Sequence, residues 1–224
     1  MPDSEPSGQS LLRLLQLASP ALPVGAYSYS EGLETLVSQG LTDPAAILQW
    51  LEQELAWGLI RVEVTLLYRL YGAGPEELST WNQWLSARRD TEEGRHQSWA
   101  MGRALGRLVS QLYPQLQTDL AQIILPWNYV VMFALLSNHW QISPSAAVLA
   151  YLHSWAANLI TAAIKLVPLG QTQGQQMLLD LYPSLEITAQ QCQKLQPEQL
   201  SLSNWGTSLA TMEHEAMYSR LFRS

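Results

Sequence analysis

The histidines and the single cysteine are the residues whose chemistry could support metal binding or catalysis. A metal site built on one helix needs ligands three or four residues apart, because those positions share a face. No such spacing occurs among the four histidines, which are His96, His139, His153 and His214. Cys192 is the only cysteine, so no internal disulfide and no cysteine-based metal site can form. The sequence therefore predicts no metal centre, and it favours a reducing compartment such as the cytoplasm.

Two of the histidines have neighbours that suggest a role. Glu213, His214 and Glu215 are consecutive, but successive residues on a helix point about 100° apart and cannot jointly chelate one ion. We therefore interpret this trio as a solvated or partner-facing cluster. His153 lies in an apolar stretch, where we expect a hydrogen-bonded structural histidine.

Motifs for phosphate binding and nucleophilic catalysis are missing from the sequence. It contains neither a Gly-x-x-x-x-Gly-Lys phosphate loop nor a Gly-x-Ser-x-Gly nucleophile elbow. We therefore predict no catalytic residue, no cofactor and no nucleotide hydrolysis by this chain alone. Two alternatives are an enzyme whose four histidines come together only in the fold, and a direct carrier of metal ions.

The composition favours a protein that binds other proteins. Hydrophobic residues make up 47% of the chain and charged residues only 14%, so apolar area must remain on the surface. Nine tryptophans exceed what a core of this size needs, and aromatic side chains concentrate at interfaces. The net charge of -7 argues against nucleic-acid binding, which depends on clustered basic residues.

The secondary structure that must position these residues is helical. Proline and glycine positions, with apolar spacing near 3.6 residues, predict one all-α domain, a bundle of about seven to ten helices. Gly72, Pro114, Pro168 and Pro183 are expected to end four of the helices. The clearest predicted helices cover residues 44–71, a segment from Met101 to Leu112, residues 128–140, residues 144–167 and residues 171–182.

The stretch from Ser145 to Ile164 has no charged residue and is long enough to span a membrane. It contains Asn158 and many alanines, so we interpret it as a buried core helix and expect no membrane partner. The first ten residues are polar and acidic, without the positive flank of a secretory signal. We expect residues 1–10 to be flexible, residues 11–212 to form the helical domain, and residues 213–224 to form a partner-binding tail.

The segment before residue 26 should be a rigid, packed loop. Pro20, Pro23 and Gly25 interrupt an otherwise apolar sequence, which predicts an irregular connection of defined shape. Ser28 and Glu31 match the Ser-x-x-Glu capping box, which predicts a helix that begins near residue 29.

Gly102 and Gly106 are separated by one helical turn. Two small residues at this spacing let another backbone approach the helix closely. We expect a tight contact there, either within the monomer or across a dimer.

The segment from Leu14 to Glu34, LLQLASPALPVGAYSYSEGLE, resembles the N-terminal signature of the UreF family of urease accessory proteins. Further agreement with the family comes from residues 90–108, 151–178 and 214–224. Residues 73–85 and 184–205 are less diagnostic. The resemblance therefore covers both ends and the middle of the chain.

The resemblance implies an all-helical homodimer that binds UreD, called UreH in some species, and recruits the GTPase UreG to apo-urease. It implies that nickel arrives with UreG, is released with GTP hydrolysis, and enters urease beside a carbamylated lysine. A family member would then be a non-catalytic scaffold that positions UreG and governs its use of GTP.

The tail is the first candidate for binding UreD or UreG, because aromatic and arginine side chains often anchor interfaces. The alternative is that Leu221 and Phe222 dock back onto the core of the same chain. The candidate residues are Tyr218, Arg220, Phe222 and Arg223.

Lys165 and Gln171 flank the turn at residues 168–170 and are candidates for a second partner-binding surface. The alternative for Lys165 is that its aliphatic stem simply lies along the helix end.

Overall fold

The computed structural model describes residues 8–196, 199–200 and 204–223, which form eleven α-helices and no β-strand. The predicted all-α class is confirmed, whereas the predicted number of helices is too low. This part of the chain also contains two short 3-10 helices, Ala26–Ser28 and Pro114–Leu116. The helices are α1 (Gly8–Leu17), α2 (Leu33–Ser38), α3 (Pro44–Trp57), α4 (Leu59–Leu70), α5 (Pro75–Arg88), α6 (Glu92–Leu112), α7 (Gln117–Gln122), α8 (Tyr129–His139), α9 (Pro144–Leu166), α10 (Gln171–Cys192) and α11 (Trp205–His214).

Side-chain caps explain where three long helices begin. Asp43, Thr91 and Ser143 each accept a hydrogen bond from the backbone amide three residues further on. Proline occupies the first position of α3, α5 and α9, where its missing N–H would have no partner in any case. The predicted bounds of α9 are confirmed to within one residue.

The helix predicted over residues 44–71 is wrong, because it is two helices. Gly58 has extended backbone, with φ of -83° and ψ of 177°, and separates α3 from α4. Arg61 donates a hydrogen bond of 2.8 Å to the carbonyl of Ala56, which supplies a partner for one of the carbonyl groups left free at the C-terminal end of α3. The break lets α3 pack against α10 while α4 packs against α8 and α9.

The predicted end of a helix before Pro183 is also wrong, since α10 continues to Cys192. Proline removes one backbone hydrogen bond from a helix interior. Here Pro183 lies on the exposed face, while Leu181 and Leu185 on either side of it are buried. Packing of the buried face therefore keeps the segment helical.

The loop that leads into α2 is packed as expected, but it contains no capping box. Leu22 and Val24 are buried whereas Pro20 and Pro23 are exposed, and Gly25 has a left-handed φ of 77°. The helix predicted to begin near residue 29 begins instead at Leu33.

Ser28 and Glu31, the two residues of the predicted capping box, have other roles. Ser28 ends a 3-10 helix, and Glu31 has a φ of 53°, outside the helical region. The Glu31 carboxylate accepts hydrogen bonds from Gln97 at 2.8 Å and Trp155 at 3.0 Å. It therefore holds the loop to α6 and α9 rather than capping α2.

The centre of the fold is α8, in which every residue from Tyr129 to Ser137 is buried. A helix that is apolar on all sides must be surrounded, and α4, α5, α6 and α9 pack around it. One hydrophobic cluster extends from Leu17 to Phe222.

Within the described residues, α9 is the one helix long and apolar enough to cross a membrane. However, 56% of its most apolar window is buried inside the protein, where it packs against α4 and α10. This is the arrangement of a core helix, as the sequence predicted.

Gly102 and Gly106 face Trp127 of the same chain. A Cβ atom at Gly102 would collide with the Trp127 carbonyl oxygen, and one at Gly106 would collide with the Trp127 ring. The close approach expected at these glycines is therefore made within the monomer.

Candidate functional site

The C-terminal segment lies against α2, and Gly32 allows α11 to approach it closely. A Cβ atom at Gly32 would lie only 2.9 Å from the Thr211 hydroxyl oxygen and 3.3 Å from the Ala210 Cβ. Its left-handed φ of 83° also favours glycine. This contact turns the face of α11 that carries Ala210, Thr211 and His214 into the protein.

His214 is fully buried between two carboxylates. Its Nε2 lies 3.0 Å from Glu34 Oε2, and its Nδ1 lies 3.0 Å from Glu93 Oε2. Both ring nitrogens of His214 therefore face carboxylate oxygens. The interpretation of His214 as solvated or partner-facing is wrong, because α11 directs it toward α2 and the first turn of α6.

The surroundings of His214 do not form a chelating site. Its two nitrogens bond to different carboxylates, so the three side chains do not converge on one point. Across the described ranges, no three His, Cys, Asp or Glu side chains are placed to hold a metal ion.

Glu34 also fixes the backbone of the tail. Its Oε1 accepts the Leu221 amide at 2.6 Å, and its Oε2 accepts the Phe222 amide at 3.0 Å. Burial acts to raise the pKa of Glu34, but these amides together with His214 outweigh it and lower that pKa below its ordinary value. We call Glu34, Glu93, His214 and residues 220–223 the C-terminal latch.

Two cations add to the C-terminal latch. Arg220 forms an ion pair of 2.9 Å with Glu93 Oε1, an oxygen that also lies 3.2 Å from His214 Nδ1. Lys165 places its Nζ 5.4 Å from the centre of the Phe222 ring, a cation–π geometry. The structure thus brings Lys165 to the tail, while Gln171 is exposed at the first position of α10.

The four candidate residues of the tail have different environments. Phe222 is only 6% exposed and docks on the core of its own chain, which was the alternative for this residue. Arg220 and Arg223 are exposed, and Tyr218 is fully exposed at 107%. Leu221, for which docking was also an alternative, is 63% exposed.

A second candidate site is a cleft of about 150 Å³ between α11, the α3–α4 junction and the start of α6. Trp57 and Trp205 line it and are 58% and 71% exposed, so they lie at its mouth. The charged residues of the lining are Glu31, Glu54, Glu63, Asp90 and Arg89. We call this the acidic cleft.

Arg89 in the acidic cleft already has an anionic partner. It forms a buried ion pair with Glu63, whose other oxygen accepts a hydrogen bond of 2.9 Å from the Tyr151 hydroxyl. Burial raises the pKa of Tyr151, and the charge of Glu63 adds to the rise, so this hydroxyl remains a donor.

Within the part of the chain that the structure describes, neither Glu54 nor Glu31 forms an ion pair. Burial raises the pKa of Glu54 to about 7, although Thr207 of α11 and Asn204, the residue before α11, donate hydrogen bonds to it. Burial likewise raises the pKa of Glu31, against the hydrogen bonds from its two neutral donors. The acidic cleft therefore holds more carboxylate than its own guanidinium balances.

Sequence reasoning missed Glu34, Glu93 and Glu54. Glu34 and His214 are 180 positions apart, and Glu54 meets Thr207 across 153 positions, so no local spacing links them. The only available signal was that Glu34 falls within the segment that resembles the UreF signature.

These features define a class: an all-helical protein whose conspicuous surfaces are an anchored C-terminal tail and an acidic cleft edged by tryptophan. The family model described as UreF matches residues 41–182. The urease accessory proteins UreF of Trichormus variabilis and Microcystis aeruginosa are each 51% identical, over 218 and 221 residues. These alignments cover 95% of both chains in the first case, and 96% of this chain and 98% of the relative in the second.

A more divergent relative gives the same assignment. The urease accessory protein UreF of Alkalilimnicola ehrlichii is 40% identical over 228 residues, covering 97% of each chain. The chain belongs to the UreF family of urease accessory proteins, and the resemblance seen in its sequence is confirmed.

Proposed function

We propose that this chain is a non-catalytic scaffold that binds UreD (UreH), recruits the GTPase UreG, and acts with them on apo-urease during nickel insertion. In this proposal it is a cytoplasmic homodimer that regulates GTP use by UreG. Membership of the family over nearly the whole chain supports the role in urease maturation.

The single observation that carries the partner-binding part is the position of Tyr218. The C-terminal latch anchors the backbone that follows it, while its ring is fully exposed. An aromatic side chain on an anchored segment loses little conformational entropy when a partner covers it. Such residues are frequent hot spots of interfaces.

Lys165 and Gln171 extend the proposed surface. Lys165 contacts the tail through Phe222, which supports a proposed surface that includes both α9 and the tail. Gln171 is exposed just past the turn that ends α9 and would lie toward its edge.

The test is co-purification with UreD and then UreG, followed by urease activation, for Tyr218→Ala and for deletion of Arg220 to Ser224. We expect Tyr218→Ala to weaken the complex about tenfold, the loss typical of a modest hot spot. Tyr182→Ala is the matched control, because Tyr182 is a partly exposed tyrosine on α10. An intact complex and full activation with the deleted tail would contradict the proposal.

A further inference from the structure

We propose that the acidic cleft is a docking site for one arginine side chain of a partner protein. Its guanidinium would lie between the indoles of Trp57 and Trp205, above the carboxylates of Glu31 and Glu54. This inference assigns a second contact surface, separate from the tail, and its first test does not depend on the identity of the partner.

Charge complementarity selects a cation. Four carboxylates and one guanidinium line the acidic cleft, and that guanidinium is paired with Glu63. Glu31 accepts from Gln97 and Trp155, which are neutral donors. Glu54 likewise accepts from the neutral side chains of Asn204 and Thr207. An incoming positive charge would therefore be attracted, and more strongly than at an open surface because water is partly excluded.

The two tryptophans select arginine among the cations. A planar, weakly hydrated guanidinium stacks on an indole face and bonds to carboxylates through a rigid fork of donors. Trp57 and Trp205 both line the cleft and leave more than half of their surface exposed. A bare metal ion would gain nothing from the indoles, and the carboxylates of the cleft are not arranged as a chelating set among the described residues.

The volume of the acidic cleft is suited to a single side chain rather than to a larger ligand. The cleft volume of about 150 Å³ is well below the roughly 300 Å³ at which pockets for drug-sized molecules begin. Leu209 and Met212 continue the exposed apolar stripe from Trp205 along α11 at helical spacing. A protein that inserts an arginine would cover this stripe, which a free amino acid would leave in water.

The first test uses N-acetyl-arginine amide as the probe, with the uncharged isostere N-acetyl-citrulline amide as its control. Indole N–H signals of Trp57 and Trp205 are followed by NMR, after assignment through the single Trp→Ala variants. We expect the arginine probe, and not the citrulline probe, to shift both signals. Equal shifts with both probes, or no shift with either, would overturn the proposal.

Matched variants locate the probe. Trp205→Ala and the double variant Glu31→Gln, Glu54→Gln should each weaken binding by about five- to tenfold, the range of a desolvated cation–π or charge contact. Leu209→Ala should bind the probe normally, because Leu209 is exposed on the same helix but does not line the cleft. Equal weakening by Leu209→Ala and Trp205→Ala would overturn the assignment to the cleft. Circular dichroism confirms that each variant is folded.

The second test identifies the occupant. Binding of UreD, and then UreG, is compared for wild type, Trp205→Ala and the double Gln variant, with self-association measured by sedimentation. Weaker binding of either protein, with unchanged self-association, supports a partner arginine. Loss of self-association alone would show that a second copy of this chain fills the cleft, and would overturn the choice of a different protein. Failure of complex formation by wild type as well would count against the proposed function. The probe experiment would still show whether the acidic cleft binds an arginine side chain.

Discussion

The C-terminal latch and the acidic cleft both contain buried glutamates, but their carboxylates respond to burial in opposite ways. Glu34 receives two backbone amides and the His214 ring, and its pKa is lowered. Burial raises the pKa of Glu54 to about 7, since its hydrogen-bond donors Thr207 and Asn204 are neutral and the nearby Glu31 carboxylate adds to the rise. Both residues are largely shielded from water, so burial alone does not decide whether the pKa of a glutamate is raised or lowered.

The difference shows how the same residue type can close one surface and leave another ready for a ligand. In the C-terminal latch, the donors of the protein itself satisfy the anion, so the tail is held in place. In the acidic cleft, Glu31 and Glu54 are desolvated and form no ion pair with any described residue. A satisfied carboxylate stabilises the fold, whereas an unmatched one costs stability that a binding partner could recover.

Removing the central acceptor of the C-terminal latch should have the largest effect. Glu34→Ala leaves the Leu221 and Phe222 amides and the buried His214 without their partner. We expect the free energy of unfolding to fall by about 3–5 kcal/mol, as for other broken buried pairs. Urea denaturation measures this change.

Limited trypsin digestion should then cut the Glu34→Ala variant faster after Arg220, because the tail is released. Glu213→Ala is the control, since Glu213 is an exposed glutamate on the same helix as His214. Equal trypsin sensitivity of the Glu34→Ala variant and wild type would contradict the role given to Glu34.

The pH dependence of unfolding should separate the two regions next. The folded pKa of Glu34 lies below 4.5, so its contribution is present above about pH 4.5 and is lost as pH falls through that folded pKa. Glu54 acts in the opposite direction, because its folded pKa is about 7 against 4.5 in the unfolded chain. Stability should therefore decrease by roughly 2–3 kcal/mol as pH rises from about 4.5 to about 7.

Glu54→Gln tests the part of this prediction that concerns Glu54. Glutamine keeps the size and an acceptor for α11 but carries no charge. We expect the variant to lose the decrease between about pH 4.5 and 7 and to be more stable than wild type at pH 8. Thermal unfolding across the pH range measures this, and an unchanged pH profile would show that Glu54 does not titrate as described.

The smallest effect is expected at the solvent-facing edge of the C-terminal latch. Arg220→Ala removes an ion pair to Glu93 whose arginine side chain is 40% exposed. Such pairs contribute less than about 1 kcal/mol, and salt screens them. The variant should unfold nearly as wild type in urea, while a loss as large as that of Glu34→Ala would show that Arg220 is central to the C-terminal latch.

Local sequence patterns predicted the helices well where capping and apolar spacing agreed. α9 was predicted over residues 144–167 and covers Pro144–Leu166, with Ser143 as its N-cap. The failures occurred where packing outweighed local preference, as at Pro183, which remains inside α10 because the buried face continues past it. The error at Gly58 was the opposite one, because a single helix was predicted where there are two. The apolar pattern continues past Gly58 and gave no reason to expect that the segments on either side pack in different directions.

Residue types also determined part of the candidate site. The aromatic and arginine residues of the tail marked it as a candidate site. The family followed from long segments that resemble the UreF family. Its internal contacts were beyond local reasoning, because His214 bonds to carboxylates 121 and 180 positions away. Phe222 was predicted as a partner contact, yet it packs on its own core beside Lys165.

The sequence by itself determined the helical class, the apolar core helix α9 and membership of the UreF family, because caps, periodicity and family motifs are local properties. Only the tertiary structure decided which glutamates are satisfied and which are unmatched. The charge state of a carboxylate depends on the donors and water within a few ångströms, and those neighbours come from elements far apart in the chain. The C-terminal latch and the acidic cleft are therefore properties of the fold, built from residues that no spacing in the sequence brings together.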